Sequence, residues 1–107
     1  MNSINNVKIT ALIVARNEQS HIKSCLESLN SIDEIVLLLD RTTDNTINIA
    51  KTFKCSIFEG SWESEGKRRN EGISKCSNNW ILEIDADERA NKELIKEAKE
   101  RIGFLKD

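Results

Sequence analysis

Trp80-Ile81-Leu82-Glu83-Ile84-Asp85-Ala86-Asp87-Glu88 runs an apolar strand straight into two carboxylates one residue apart. The run reads as a buried strand whose carboxyl end carries acids, and the chain repeats that layout upstream. Residues 7–15 form a short, continuous apolar run rich in β-branched side chains, which reads as a fully buried strand. Residues 34–39 read the same way, and residues 55–58 form a shorter third strand. Between the strands the apolar period changes to that of a helix. Ile22, Cys25, Leu26 and Leu29 follow an i, i+3, i+4, i+7 stripe, with Asn17 as the expected cap. Thr43 is expected to cap a second helix carrying Ile47, Ala50 and Phe53 on one face. A weak, highly charged helix is expected over residues 66–76. Asn91 is expected to cap a last helix with Leu94, Ile95, Ala98 and Ile102 inward. Strict strand–helix alternation predicts an α/β fold, with a mostly parallel sheet of about four strands flanked by helices.

Composition fits one globular domain over residues 1–107: 38% of the residues are hydrophobic and 32% charged. A net charge of −2 gives no bulk attraction to nucleic acid. The apolar run of residues 9–15 is far too short to span a bilayer. Cys25, Cys55 and Cys76 are isolated, without metal-ligand spacing, and read as free thiols of a reducing cytosol. The expected location is therefore cytoplasmic, including the inner face of the membrane.

In a parallel sheet the carboxyl ends of the strands lie along one edge, where open α/β sheets bind ligands. Strand one delivers Arg16, Asn17 and Glu18 to that rim; strand two delivers Asp40, Arg41, Thr42, Thr43 and Asp44. Strand three delivers Glu59, and strand four Asp85 and Asp87. Helix capping explains Asp44 well, but Asp40 and Asp85 directly follow apolar runs. Magnesium-like ions take one or two carboxylates and fill the rest of their shell with water and phosphate oxygens, so the acidic pair points to a metal and a phosphorylated ligand together. Neither G-x-x-x-x-G-K-S/T nor G-x-G-x-x-G is present, so basic side chains must help hold the phosphates, with Lys67, Arg68 and Arg69 as candidates. Trp62 reads equally as a stacking platform for a base and as packing under its loop. His21 reads as a surface residue.

Four segments, in order and spacing, resemble the nucleotide-binding half of family 2 glycosyltransferases of the GT-A fold. They are Ala11-Leu12-Ile13-Val14-Ala15-Arg16-Asn17-Glu18, Asp40 with Thr43-Asp44-Asn45-Thr46, Arg69-Asn70-Glu71-Gly72, and Asp85-Ala86-Asp87. Trp62 and the run Asp85-Ala86-Asp87-Glu88-Arg89 are most similar to the lipopolysaccharide-core glucosyltransferase type, which works in cell-envelope polysaccharide synthesis. The resemblance implies an inverting transfer from a nucleoside-diphosphate sugar, a UDP-sugar first. It implies that Ala15, Arg16, Asn17 and Glu18 line the base and ribose pocket, that Asp40 binds the base, and that Arg69 contacts the nucleotide. Asp85 is implied to face the ribose or hold metal through water, and Asp87 to ligate Mg²⁺ or Mn²⁺.

Two departures stand out. The family's glycine after Asp40 is missing and the loop is one residue shorter, so Arg41 is expected to alter the base pocket. Family members also continue into an acceptor-binding half that carries the general base. This chain is therefore expected to bind donor and to transfer poorly alone. Alternatives are a non-catalytic nucleotide-binding module completed by self-association or by a separate acceptor-domain chain, and a nucleotidyltransferase. The lack of a glycine-rich basic loop after strand one argues against the last.

Overall fold

The computed structural model describes residues 7–105. The elements are β1 (Ile9–Ala15), α1 (Ile22–Ser28), β2 (Glu34–Asp40), α2 (Thr46–Ala50), β3 (Ser56–Gly60), α3 (Glu65–Ser74), β4 (Trp80–Asp85) and α4 (Lys92–Leu105). All three strand pairings are parallel, and the sheet order is β3-β2-β1-β4.

The order follows from burial. Six of seven residues in β1 and six of seven in β2 are buried, so these two strands take the centre, covered on both faces. β3 and β4 carry polar residues between apolar ones and form the edges. β4 is thus less buried than its apolar sequence suggests, and Trp80 at its start is 39% exposed. Edge position, not composition, decides this, because among the described residues no strand covers the outer side of β4.

The two faces differ in chemistry. On one, Ala11, Ile13, Ala15, Ile35, Leu37, Leu39 and Ile84 meet Ile22, Cys25, Leu26 and Leu29 of the α1 region, Ala50 of α2 and Ile95 of α4. On the other lie Thr10, Leu12, Val36, Leu38 and Asp40, covered by α3. Helix α3 buries only Gly72, at a close approach where a Cβ would stand 2.9 Å from a Leu12 methyl. Its start is fixed by Ser64, whose hydroxyl accepts the Lys67 N–H at 3.2 Å.

Two expected helix starts move. Helix α1 begins at Ile22, not near Asn17, because Asn17 has a left-handed φ of 53° that cannot begin a right-handed helix. Its side chain serves the neighbouring loop instead, accepting the N–H groups of Thr43 and Asp44 at 2.8 and 3.1 Å. Thr43 therefore does not cap α2, which starts at Thr46; Asp44 accepts the Thr46 N–H at 3.0 Å just before it. Helix α4 starts as expected, with Asn91 accepting the Leu94 N–H at 2.7 Å. Leu94 itself is 50% exposed, because α4 turns the line of Ile95, Ala98 and Ile102 toward the protein.

Leu26→Ala is expected to destabilise the domain by about 2–5 kcal/mol, and Leu94→Ala to stay within about 0.5 kcal/mol, read as shifts in urea unfolding midpoint.

Candidate functional site

The sheet order reverses at β1: the chain moves to β2 and β3 on one side, then returns to place β4 on the other. Such a switch point leaves a crevice at the carboxyl ends of the two strands that flank it. A hollow of about 340 Å³ lies there, lined by Val14, Ala15, Arg16, Glu18, Arg68, Asp85, Ala86 and Asp87. Six of the residues singled out from the sequence thus share one crevice: Ala15, Arg16, Glu18, Arg68, Asp85 and Asp87.

Asp85 and Asp87 sit on a tight turn. Glu88 accepts the Asp85 N–H at 2.7 Å through its carboxylate and donates its own N–H to the Asp85 carbonyl at 2.9 Å. Ala86 between the two acids is buried and pins the turn, while both acids are exposed. Among the described residues, neither carboxylate enters an ion pair, and no group of three metal-ligating side chains forms. Two unengaged carboxylates are a hard-oxygen donor set that suits a Mg²⁺-like ion completed by ligand phosphate.

The loops after β1 and β2 are tied together beside this crevice. Besides the Asn17 bonds, Glu18 donates its N–H to the Thr46 hydroxyl at 3.0 Å, Gln19 donates its N–H to Asp44 at 3.2 Å, and Asn45 donates its N–H to the Gln19 side chain at 2.9 Å. Asn17 is spent on this tie and does not line the crevice.

Asp40 ends the central strand β2 with its side chain 1% exposed. Arg41 reaches it with Nε at 2.9 Å and Nη2 at 3.3 Å, and Arg68 with Nη1 at 2.9 Å. Burial alone would raise the Asp40 pKa; the bonds from Arg41 and Arg68 outweigh it and hold the carboxyl below its usual range. Arg41 has a φ of 51°, the conformation that a glycine takes without strain, and is held there by its N–H bond to the Gly60 carbonyl at 2.8 Å. Trp62 is half-buried against Gly60, where a Cβ would meet its ring at 2.6 Å, so the packing role is realised.

Arg69 lies apart from Asp40. Its Nε and Nη2 bond the Glu83 carboxylate of β4, the shorter contact at 2.6 Å. It lines a second hollow of about 130 Å³, together with Arg68, Glu83 and Asp85. Helix geometry separates the two arginines: neighbouring residues point about 100° apart, so Arg68 reaches across to β2 and Arg69 to β4. Sequence alone lists both as candidates, and only the packing of α3 divides their partners.

A wider hollow of about 830 Å³ opens at the amino end of the sheet, lined by Leu26, Leu29, Ile32, Phe53 and Cys55 among others. Two of its carboxylates are already engaged: Asp33 pairs with Lys99 at 2.7 Å, and Glu34 accepts both the N–H and the hydroxyl of Ser77 at 2.8 Å. It lies at the opposite end of the strands from the crevice.

Residues 10–106 match the family model of Glycosyl transferase family 2. An uncharacterized glycosyltransferase of Rickettsia typhi is 34% identical over 91 residues, covering 84% of this chain and 31% of that protein. The lipopolysaccharide core biosynthesis glycosyltransferase LpsC of Rhizobium meliloti is 28% identical over 96 residues, covering 85% of this chain and 36% of that protein. The chain thus spans about a third of the length of these relatives. Among solved structures, Staphylococcus aureus TarS 1–349 superposes with a TM-score of 0.80 at 25% identity, over 90% of this chain and 32% of that one. Glucosyl-3-phosphoglycerate synthase from Mycobacterium tuberculosis, in complex with Mg²⁺ and UDP, superposes at 0.68 with 20% identity, over 78% of this chain and 34% of that one. The parallel four-stranded sheet flanked by helices is the GT-A arrangement of these neighbours.

Asp33, Glu34, Asp40 and Asp44 all have lowered pKa values: burial raises each, and hydrogen bonds more than reverse that, joined by Lys99 at Asp33 and by Arg41 and Arg68 at Asp40. A carboxyl with a lower pKa folded than unfolded binds fewer protons folded. Its stabilisation is complete above the unfolded value, near pH 4, and disappears as pH falls through the folded value. Urea midpoints are therefore expected to fall steadily below about pH 4, with a shallower fall in Asp40→Asn.

Proposed function

This chain belongs to glycosyl transferase family 2, and from that premise we propose that its crevice binds the donor of an inverting transfer, a nucleoside-diphosphate sugar, together with Mg²⁺ or Mn²⁺. The observation that carries this reading is the unengaged Asp85 and Asp87 pair at the switch point, in a hollow that Arg16 and Arg68 also line. The two carboxylates hold the ion, with Asp87 the direct ligand. A divalent ion bound there supplies charge that offsets the negative charge growing on the departing diphosphate.

The chain's own residues supply the rest of the site. Ala15, Arg16 and Glu18 wall the crevice along the β1 end and take the nucleoside, toward Asp40. Ala15 is small and buried, which leaves room for a ligand to approach the strand end. The tied loops hold that wall in place, so little ordering is required when a ligand enters. Arg69, fixed on Glu83, borders the adjoining hollow at the phosphate end. UDP is the first donor nucleotide to test, since the fold neighbour from Mycobacterium tuberculosis carries UDP with Mg²⁺.

Calorimetric titration of UDP and UDP-sugars into the full chain is expected to give binding only with Mn²⁺ or Mg²⁺ present. Asp87→Ala is expected to abolish the metal-dependent part. Equal binding by wild type and Asp87→Ala, or metal-independent binding by wild type, would remove Asp87 from the metal site.

A further inference from the structure

We infer that Glu88 is the positioning residue of the acidic pair: its carboxylate caps the turn that carries Asp85 and Asp87, which leaves both acids free for a ligand. The inference rests on the metal and donor reading of the crevice and deepens it.

Short acidic side chains that follow a strand are readily taken up by the backbone N–H groups beside them. The loop after β2 shows this. Asp44 accepts the N–H groups of Thr46 at 3.0 Å and Gln19 at 3.2 Å, and so holds its own loop. The turn after β4 is built otherwise. The Asp85 N–H goes to Glu88 Oε1 at 2.7 Å, and the Glu88 N–H returns to the Asp85 carbonyl at 2.9 Å. The longer side chain reaches back, as a glutamate does in a helix capping box. The carboxylates of Asp85 and Asp87 stay exposed and enter no ion pair among the described residues. From this turn Asp85, Ala86 and Asp87 line the crevice and Glu88 does not, so Glu88 acts from behind the pair.

Other contacts fix the far end of the turn. Ala86 and Ala90 are buried, and Ala90 donates its N–H to the Ser28 hydroxyl of α1 at 3.1 Å. Arg89 Nη1 donates to the carbonyls of Ala86 at 3.1 Å and Glu88 at 2.7 Å. The near end is different. Asp85 closes β4, and among the described residues no strand lies outside β4 to hold it. Glu88 supplies the bond at that end. Ligand oxygens already held in place bind an ion with less ordering cost. Hydrogen-bond partners behind metal ligands typically change metal affinity by about ten- to a hundredfold.

Two substitutions at this exposed position separate reach from charge. Glu88→Gln keeps an oxygen at the same reach and removes the charge. Glu88→Asp keeps the charge and shortens the side chain. The full chain of each variant and of wild type is titrated with Mn²⁺, with and without UDP, and free Mn²⁺ is read by electron paramagnetic resonance. Glu88→Asp is expected to weaken Mn²⁺ binding about tenfold or more, and Glu88→Gln to stay within about threefold of wild type. Hydrogen exchange of the metal-free proteins is the second readout. The Asp85 amide is expected to exchange about tenfold faster in Glu88→Asp and within about threefold of wild type in Glu88→Gln, with the β1 amides unchanged in both. If Glu88→Gln loses the ion while Glu88→Asp keeps it, the carboxylate acts by charge or as a ligand, and the inference is overturned. Equal losses in both variants, or no loss in either, overturn it too. Faster exchange at Asp85 without weaker Mn²⁺ binding makes the bond merely structural and rejects the positioning role. Wild type that binds no Mn²⁺, with or without UDP, is a different result: it rejects the metal reading of the crevice itself.

Discussion

Everything in this domain depends on burying β1 and β2 on both faces. Their ten buried apolar side chains cannot be covered by helices on one side only, and each Leu or Ile fully removed from water contributes about 1.5–3 kcal/mol. The two strands therefore take the centre, and β3 and β4 are left to flank them. Placing β4 next to β1 creates the switch point, and the switch point creates the crevice. The site is a consequence of how the core is covered.

The two covers are not alike. Helices α1, α2 and α4 close one face with apolar side chains. Helix α3 closes the other with charge, bridging β2 through Arg68–Asp40 and β4 through Arg69–Glu83. The second bridge is exposed and screened, so it contributes little to stability and mainly sets direction. The first ends on a buried carboxylate. Removing either partner there leaves charge in a poorly solvated place, which is costlier than losing a surface pair. A polar helix over a functional rim has a use: it brings cations to the ligand that an apolar cover could not.

Much of the architecture is legible because both periods are strong. The stripe of Ile22, Cys25, Leu26 and Leu29 is fully buried, as the spacing implies. Boundaries were harder. Asn17 looks like a helix cap in sequence, and it is a cap in chemistry, but for the loop after β2 some 26 residues away. Side-chain oxygens near strand ends can serve any nearby backbone N–H, and sequence shows only the local ones. Leu94 shows the same limit for packing, since a wide apolar stripe contains more residues than one neighbour can cover.

The sequence by itself determined the elements, their parallel pairing and the chemistry at each strand end, because local period and composition encode these directly. It placed acids at Asp85 and Asp87 and a carboxylate at Asp40. Only the tertiary structure decided who meets whom. The rotation of α3 gave Asp40 to Arg68 and Glu83 to Arg69, and the left-handed turn at Arg41 folded that side chain over Asp40. Those choices depend on helix phase and strand neighbours, quantities that no short stretch of chain carries.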